Sequence, residues 1–84
     1  MSGKHKRTFD AIFETPVRSN IKWKDIEKLV ENLGGVVKER AGSRVGLILN
    51  GVFAVFHRPH PGNETDKGAV KDMRDFLKNA RVKL

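Results

Sequence analysis

An arginine and a histidine, residue types that handle phosphates and protons, are set opposite one another by residues 42–60, GSRVGLILNGVFAVFHRPH. Asn50-Gly51 between two apolar runs is the signature of a type I′ hairpin, because both central residues of that turn need φ > 0. A two-residue turn sets the register: Leu49 pairs with Val52, Leu47 with Ala54, and Val45 with Phe56. These six are apolar and share one side, since successive strand side chains alternate. The other side carries Ile48 opposite Phe53, Gly46 opposite Val55 and, at the open end, Arg44 opposite His57.

Metal-free RNA cleavage needs a base for the 2′-OH, an acid for the leaving 5′-oxygen, and cations for the charged phosphorane. Imidazoles, which as a class titrate near ~6.5, suit the first two roles. His57 and His60 are the candidates, with Arg44 and Lys67 as the cations; His5 lies in the N-terminal tail. The same residues equally describe a site that binds RNA and leaves it intact. The H-x-x-H spacing of His57 and His60 also invites a metal. It straddles a strand end and a proline loop, however, with no cysteine nearby and only Glu64 or Asp66 as a third ligand, so neither a metal nor another cofactor is expected. Ser43 has no adjacent acid–base system and is better explained by turn chemistry than as a nucleophile.

Lys67, Lys71, Arg74, Lys78 and Arg81 follow one another at spacings of 4, 3, 4 and 3, which confines them to one stripe of a helix, away from Asp72 and Asp75. Late cations complement the helix dipole, but Lys67 sits at the end where the dipole disfavours a cation, and an anion bound there would relieve it. A solvated face explains any single lysine equally well; the stripe as a whole reads as phosphate contacts. Arg58 and Ser43, beside the Arg44–His57 pair, join Lys67, Lys71 and Arg74 as candidate RNA-binding residues.

Eighty-four residues form one small domain, which buries only ~60% of its unfolded surface. A hydrophobic fraction of 38% supports one sheet–helix interface despite 32% charged residues, and is too high for a disordered chain. Seventeen Lys and Arg against ten acids give a net charge of +7, which points to a polyanionic partner: nucleic acid, an acidic protein or an anionic membrane surface. Nucleic acid or an acidic partner stands well ahead of the bland alternative, a basic protein using its charge for solubility. The lack of cysteine removes disulfides and thiolate sites and fits a reducing cytoplasm. With no apolar run approaching ~18 residues and no signal-peptide core, neither a membrane span nor a signal peptide is expected.

Residues 1–7 read as a basic, frayed tail. A short helix is expected over about 6–14, with Phe9, Ile12 and Phe13 on one stripe, stopping near Thr15 because Pro16 disfavours helical geometry before it. Residues 15–20 read as a linker. A second helix over 22–33 turns Trp23, Ile26, Leu29, Val30 and Leu33 inward and ends at Gly34-Gly35. A strand over 36–40, a turn at 41–43, hairpin strands at 44–49 and 52–57, and an irregular proline loop at 58–64 follow. The last helix runs from Asp66 or Lys67 to Ala80, with Thr65 or Asp66 as N-cap, Val70, Met73, Leu77 and Ala80 inward, and Phe76 at the margin. The order α-α-β-β-β-α predicts an α+β fold, a three-stranded antiparallel sheet with helices on one face and the other open. Ile48, Phe53 and Val55 on the open face suit a protein partner or stacking bases; cover by the N-terminal helix is the structural alternative.

From Trp23 to Leu77 the chain resembles the HicA family of toxins, the small ribonucleases of HicA–HicB toxin–antitoxin pairs. The resemblance rests on D-I-E-K-L-V followed by Gly34-Gly35, on Gly42-Ser43 at the start of the hairpin, on the loop RPHPGNETDKG, and on Gly68-Ala69-Val70 opening the last helix. It implies a double-stranded-RNA-binding-domain-like fold, mRNA as substrate and a HicB-like antitoxin as partner. The family carries Gly-Ser-His, with that histidine required for cleavage, where this chain has Gly42-Ser43-Arg44. Arginine stays protonated and cannot act as a general base. Either activity is weak or lost, or the proton-transfer role has moved to His57, across from Arg44, or to His60. Residues 1–20 form an extension that short members lack, suited to capping the sheet, to oligomerisation or to antitoxin binding, ahead of a toxin-like domain at 21–84.

The leading expectation is a cytoplasmic, metal-independent mRNA-cleaving toxin. A non-catalytic RNA-binding module and an interaction domain for an acidic protein are the alternatives.

Overall fold

The computed structural model describes residues 3–82; the expected positions of Met1, Ser2, Lys83 and Leu84 lie outside the described residues. Helix α1 spans Gly3–Ile12, two to three residues earlier at both ends than expected. Residues 3–7, read from the sequence as frayed, are helical. The last turn tightens at Phe13 and Glu14, whose N–H groups reach Asp10 O and Ala11 O at 3.2 and 3.3 Å, and Pro16 forbids further helix.

Between the expected linker and the second helix, and taking that helix's expected first residue, lies strand β1 (Ile21–Lys22), antiparallel to β5 (Glu64–Thr65). Two-residue strands have no periodicity to detect. This ladder, extended by Trp23 N–H to Asn63 O at 2.9 Å, ties the proline loop to the start of α2 (Trp23–Asn32). Helix α2 buries Trp23, Ile26, Leu29 and Val30. Gly35 follows it because a Cβ there would lie 2.6 Å from Val30 Cγ1 and 2.8 Å from Ile48 O, contacts that only a missing side chain avoids.

Strands β2 (Val36–Glu39), β3 (Arg44–Leu49) and β4 (Val52–His57) form an antiparallel sheet in that order. The β3–β4 register is the one expected, down to Arg44 opposite His57. Asn50 and Gly51 take φ of 50° and 80°, as the turn requires. Val45, Leu47, Leu49 and Phe56 are buried, and Val37, Val52 and Ala54 complete this face against the core. Helix α3 (Lys67–Asn79) starts at Asp66, whose carboxylate accepts from Ala69 N–H at 3.3 Å. It ends with Arg81 in the left-handed region at φ 56°, and Val82 N–H bonds Leu77 O at 3.2 Å. Arg81 therefore lies past the helix and off the expected cationic stripe.

Phe76, placed by the sequence at the helix margin, is only 3% exposed. Its ring meets Phe56 edge-on at 6.2 Å, and Phe56 in turn lies 5.6 Å from Trp23. This aromatic chain widens the inward face of α3 by one residue, and the result is the expected α+β architecture with helices on one side of the sheet. Helix α1 packs against α2, α3 and β1, so it does not cap the sheet. Val36, Phe53 and Val55 stay 47%, 50% and 42% exposed on the far face.

Candidate nucleic-acid interface and active site

Strand register lays three rows across the open face. Val36, Ile48 and Phe53 form an apolar row, and Lys38, Gly46 and Val55 the next. Arg40 N–H bonds Arg44 O at 3.1 Å, extending the Arg44–His57 pair into a third, cationic row. These nine positions contain four basic side chains and no carboxylate, although the chain has ten acids. Lys38 and Arg40 were not recognised from the sequence as part of this surface. The alternation Val36, Lys38, Arg40 was the available signal, once β2 was registered on β3.

Arg44 and His57 are both exposed. Arg44 Nε donates to Ala41 O at 3.3 Å, and Arg58 N–H bonds Ser43 O at 2.9 Å, closing the open end of the hairpin. His57 and His60 border one concavity of about 360 Å³ with Glu64 and Asp66. His57 also borders a second, at the start of α3, with Gly68, Ala69 and Asp72. Both histidines are thus brought to the same end of the sheet, with carboxylates close by. Among the described residues, no group of three or more His, Asp or Glu side chains converges as a metal would require.

The expected cations divide into two kinds. Lys67 and Lys71 are exposed on α3, and at the helix terminus where the sequence expected an anion, the chain's own Asp66 carboxylate accepts from Ala69 N–H. Arg74 is engaged within the chain: its guanidinium donates to Ile12 O and Glu14 O, closing the C-terminal end of α1. Arg58 is engaged too. Its Nε lies 2.8 Å from Glu27 and its Nη1 2.6 Å from Glu39, and Trp23 Nε1 donates to the same Glu27 carboxylate. Hydrogen bonds to Glu27 and then Glu39 hold the Arg58 guanidinium above its already high ordinary range. Glu27 belongs to the D-I-E-K-L-V segment and Arg58 opens the proline loop, so two motifs noticed separately in the sequence are in contact.

A small basic α+β domain with an uncovered cationic sheet face, and two histidines at one end of it, is the class that fold and site define. The family model described as the HicA toxin of bacterial toxin–antitoxin matches residues 23–82, from α2 to the close of α3, and the chain belongs to this family. It is a toxin of the toxin–antitoxin type. None of the curated proteins and none of the solved structures matches it. Helix α1 and strand β1 precede the matched span. Among the described residues no helix is long and apolar enough to cross a membrane.

Proposed function

We propose that this toxin binds mRNA and cleaves it without a metal, in the cytoplasm, and that a HicB-like antitoxin neutralises it. The observation that carries the reading is Arg44 directly across the hairpin from His57, with His60 on the same concavity. One imidazole takes the proton of the 2′-OH, and the freed oxygen attacks the adjacent phosphorus. The bond to the 5′-oxygen breaks as the other imidazole supplies its proton, leaving a 2′,3′-cyclic phosphate and a 5′-hydroxyl. Arg44 stabilises the charge on the pentacoordinate phosphorus. Lys67 and Lys71 hold the backbone, with Ser43 at the turn; Arg58 and Arg74, tied to Glu27, Glu39 and the end of α1, contribute their field rather than free donors. The antitoxin covers the face bearing Ile48, Phe53 and Val55, presenting acidic groups to its cations.

Incubating the purified chain with RNA in EDTA tests this. Cyclic-phosphate ends that disappear in His57→Ala and His60→Ala are expected. Intact RNA, or cleavage indifferent to both substitutions, removes the catalytic role. The residue at position 44 favours a second reading, an RNA-binding module without turnover, because arginine cannot act as a base; salt-sensitive binding with no cleavage under any condition is its signature.

A further inference from the structure

The exposed ring of Phe53 is held in a way that apolar burial does not explain. It is half exposed, at 50%, and its Cε1–Cζ edge reaches over Gly46 on the neighbouring strand, where there is no side chain in its way. A Cβ at Gly46 would meet Phe53 Cε1 at 3.0 Å and Arg40 Cδ at 3.5 Å. The Arg40 guanidinium carbon sits 5.6 Å from the ring centroid, so a cation–π contact pins one part of the ring and leaves the rest to solvent. Ile48 and Val55 adjoin it on this face, with Val55 42% exposed, and the same face carries Lys38, Arg40 and Arg44 with no acid.

We infer that Phe53, beside Gly46 and held by Arg40, is a stacking platform for an unpaired base of single-stranded RNA, with Lys38 against the flanking phosphate. A base supplies the flat apolar surface that the ring lacks, and its phosphates supply the negative charge that the surrounding cations lack. Phe53 and His57 share the face four residues apart, about 13 Å along the strand. A strand stacked at Phe53 would thus run a nearby phosphate toward the Arg44–His57 end. The inference rests on the RNA-directed reading above for its ligand and adds to it the site that selects unpaired strands.

Binding of a 2′-O-methyl single strand by the full chain separates the two readings, because that strand has no 2′-OH to attack and cannot be cleaved. Phe53→Leu, which keeps the apolar bulk and removes the ring, is expected to weaken binding about tenfold, within the range of one base stack. Phe53→Trp is expected to bind at least as well as the parent, and Gly46→Ala to weaken binding by displacing the ring. The parent chain is expected to prefer the single strand over the matching duplex. Thermal unfolding of each variant confirms that the fold persists. Binding by Phe53→Leu equal to the parent overturns the platform, as does equal affinity for single strand and duplex. So does a Phe53→Leu chain that keeps RNA and loses only an acidic protein partner. Tight, ring-dependent binding of the uncleavable strand alongside failure to cleave ordinary RNA supports the platform while removing the ribonuclease.

Discussion

At Arg58 the guanidinium fork meets Glu27 and Glu39 and joins α2, β2 and the proline loop through one side chain. Each hydrogen bond between charged partners is worth roughly 1.5–3 kcal/mol when sheltered. Arg58 is about a third exposed, at 32%, so screening reduces that worth. Glu27→Gln is therefore expected to destabilise the domain by about 1 kcal/mol, read as a lower urea midpoint at unchanged slope. The raised guanidinium contributes stability at every pH below the ordinary arginine range, so the deficit should be the same at about pH 6 and about pH 9. Arg58→Lys is not expected to restore the geometry, because an ammonium has no planar fork. Arg44 carries a different prediction. If it stabilises the phosphorane, Arg44→Gln lowers the cleavage rate about a hundredfold while changing RNA affinity far less, as for a group that acts mainly in the transition state.

Among the elements, α1 relies on a distant side chain. It lies outside the span matched by the family, and carbonyls at its C-terminal end are satisfied by Arg74, 62 and 60 residues away in the chain. A helix end needs such partners because its last carbonyls have none within the helix. Arg74→Met preserves the aliphatic stem and removes both donors. The expected result is a loss of about 1–3 kcal/mol, with faster amide exchange confined to α1 while the hairpin keeps its protection. The hairpin has its own anchor, Asn50 Nδ2 donating to Ala80 O at 2.7 Å, which ties the turn to the closing residue of α3.

For the whole molecule, the net charge of +7 predicts salt-sensitive binding to RNA, and the ion pairs indicate which cations supply it. Removing one cation from a single-strand phosphate lowers the log–log salt slope by ~0.7. Lys67→Ala and Lys71→Ala are each expected to reduce the slope by about that amount. Arg74→Met should leave it nearly unchanged, since that guanidinium already faces carbonyl oxygens. Slopes for Lys67→Ala and Lys71→Ala equal to the parent's would mean that α3 is not the phosphate-bearing face.

The β3–β4 hairpin and its two faces were legible residue by residue, because turn chemistry and period-two patterning act over a few neighbours. The helical stripe of α2 was legible for the same reason, while β1 and β5 were invisible at two residues each. Position 76 shows how far local pattern reaches: the sequence placed Phe76 on the correct helix but not in the core, since its depth depends on Phe56 and Trp23 from other elements. Residue type and spacing therefore determined the fold class, the Arg44–His57 pairing and the excess of positive charge. Which cations are free, and that β2 and the residue after it add Lys38 and Arg40 to the open face, only the tertiary structure decided. A side chain's charge is intrinsic, whereas its partner is whatever the folded chain brings within hydrogen-bonding distance.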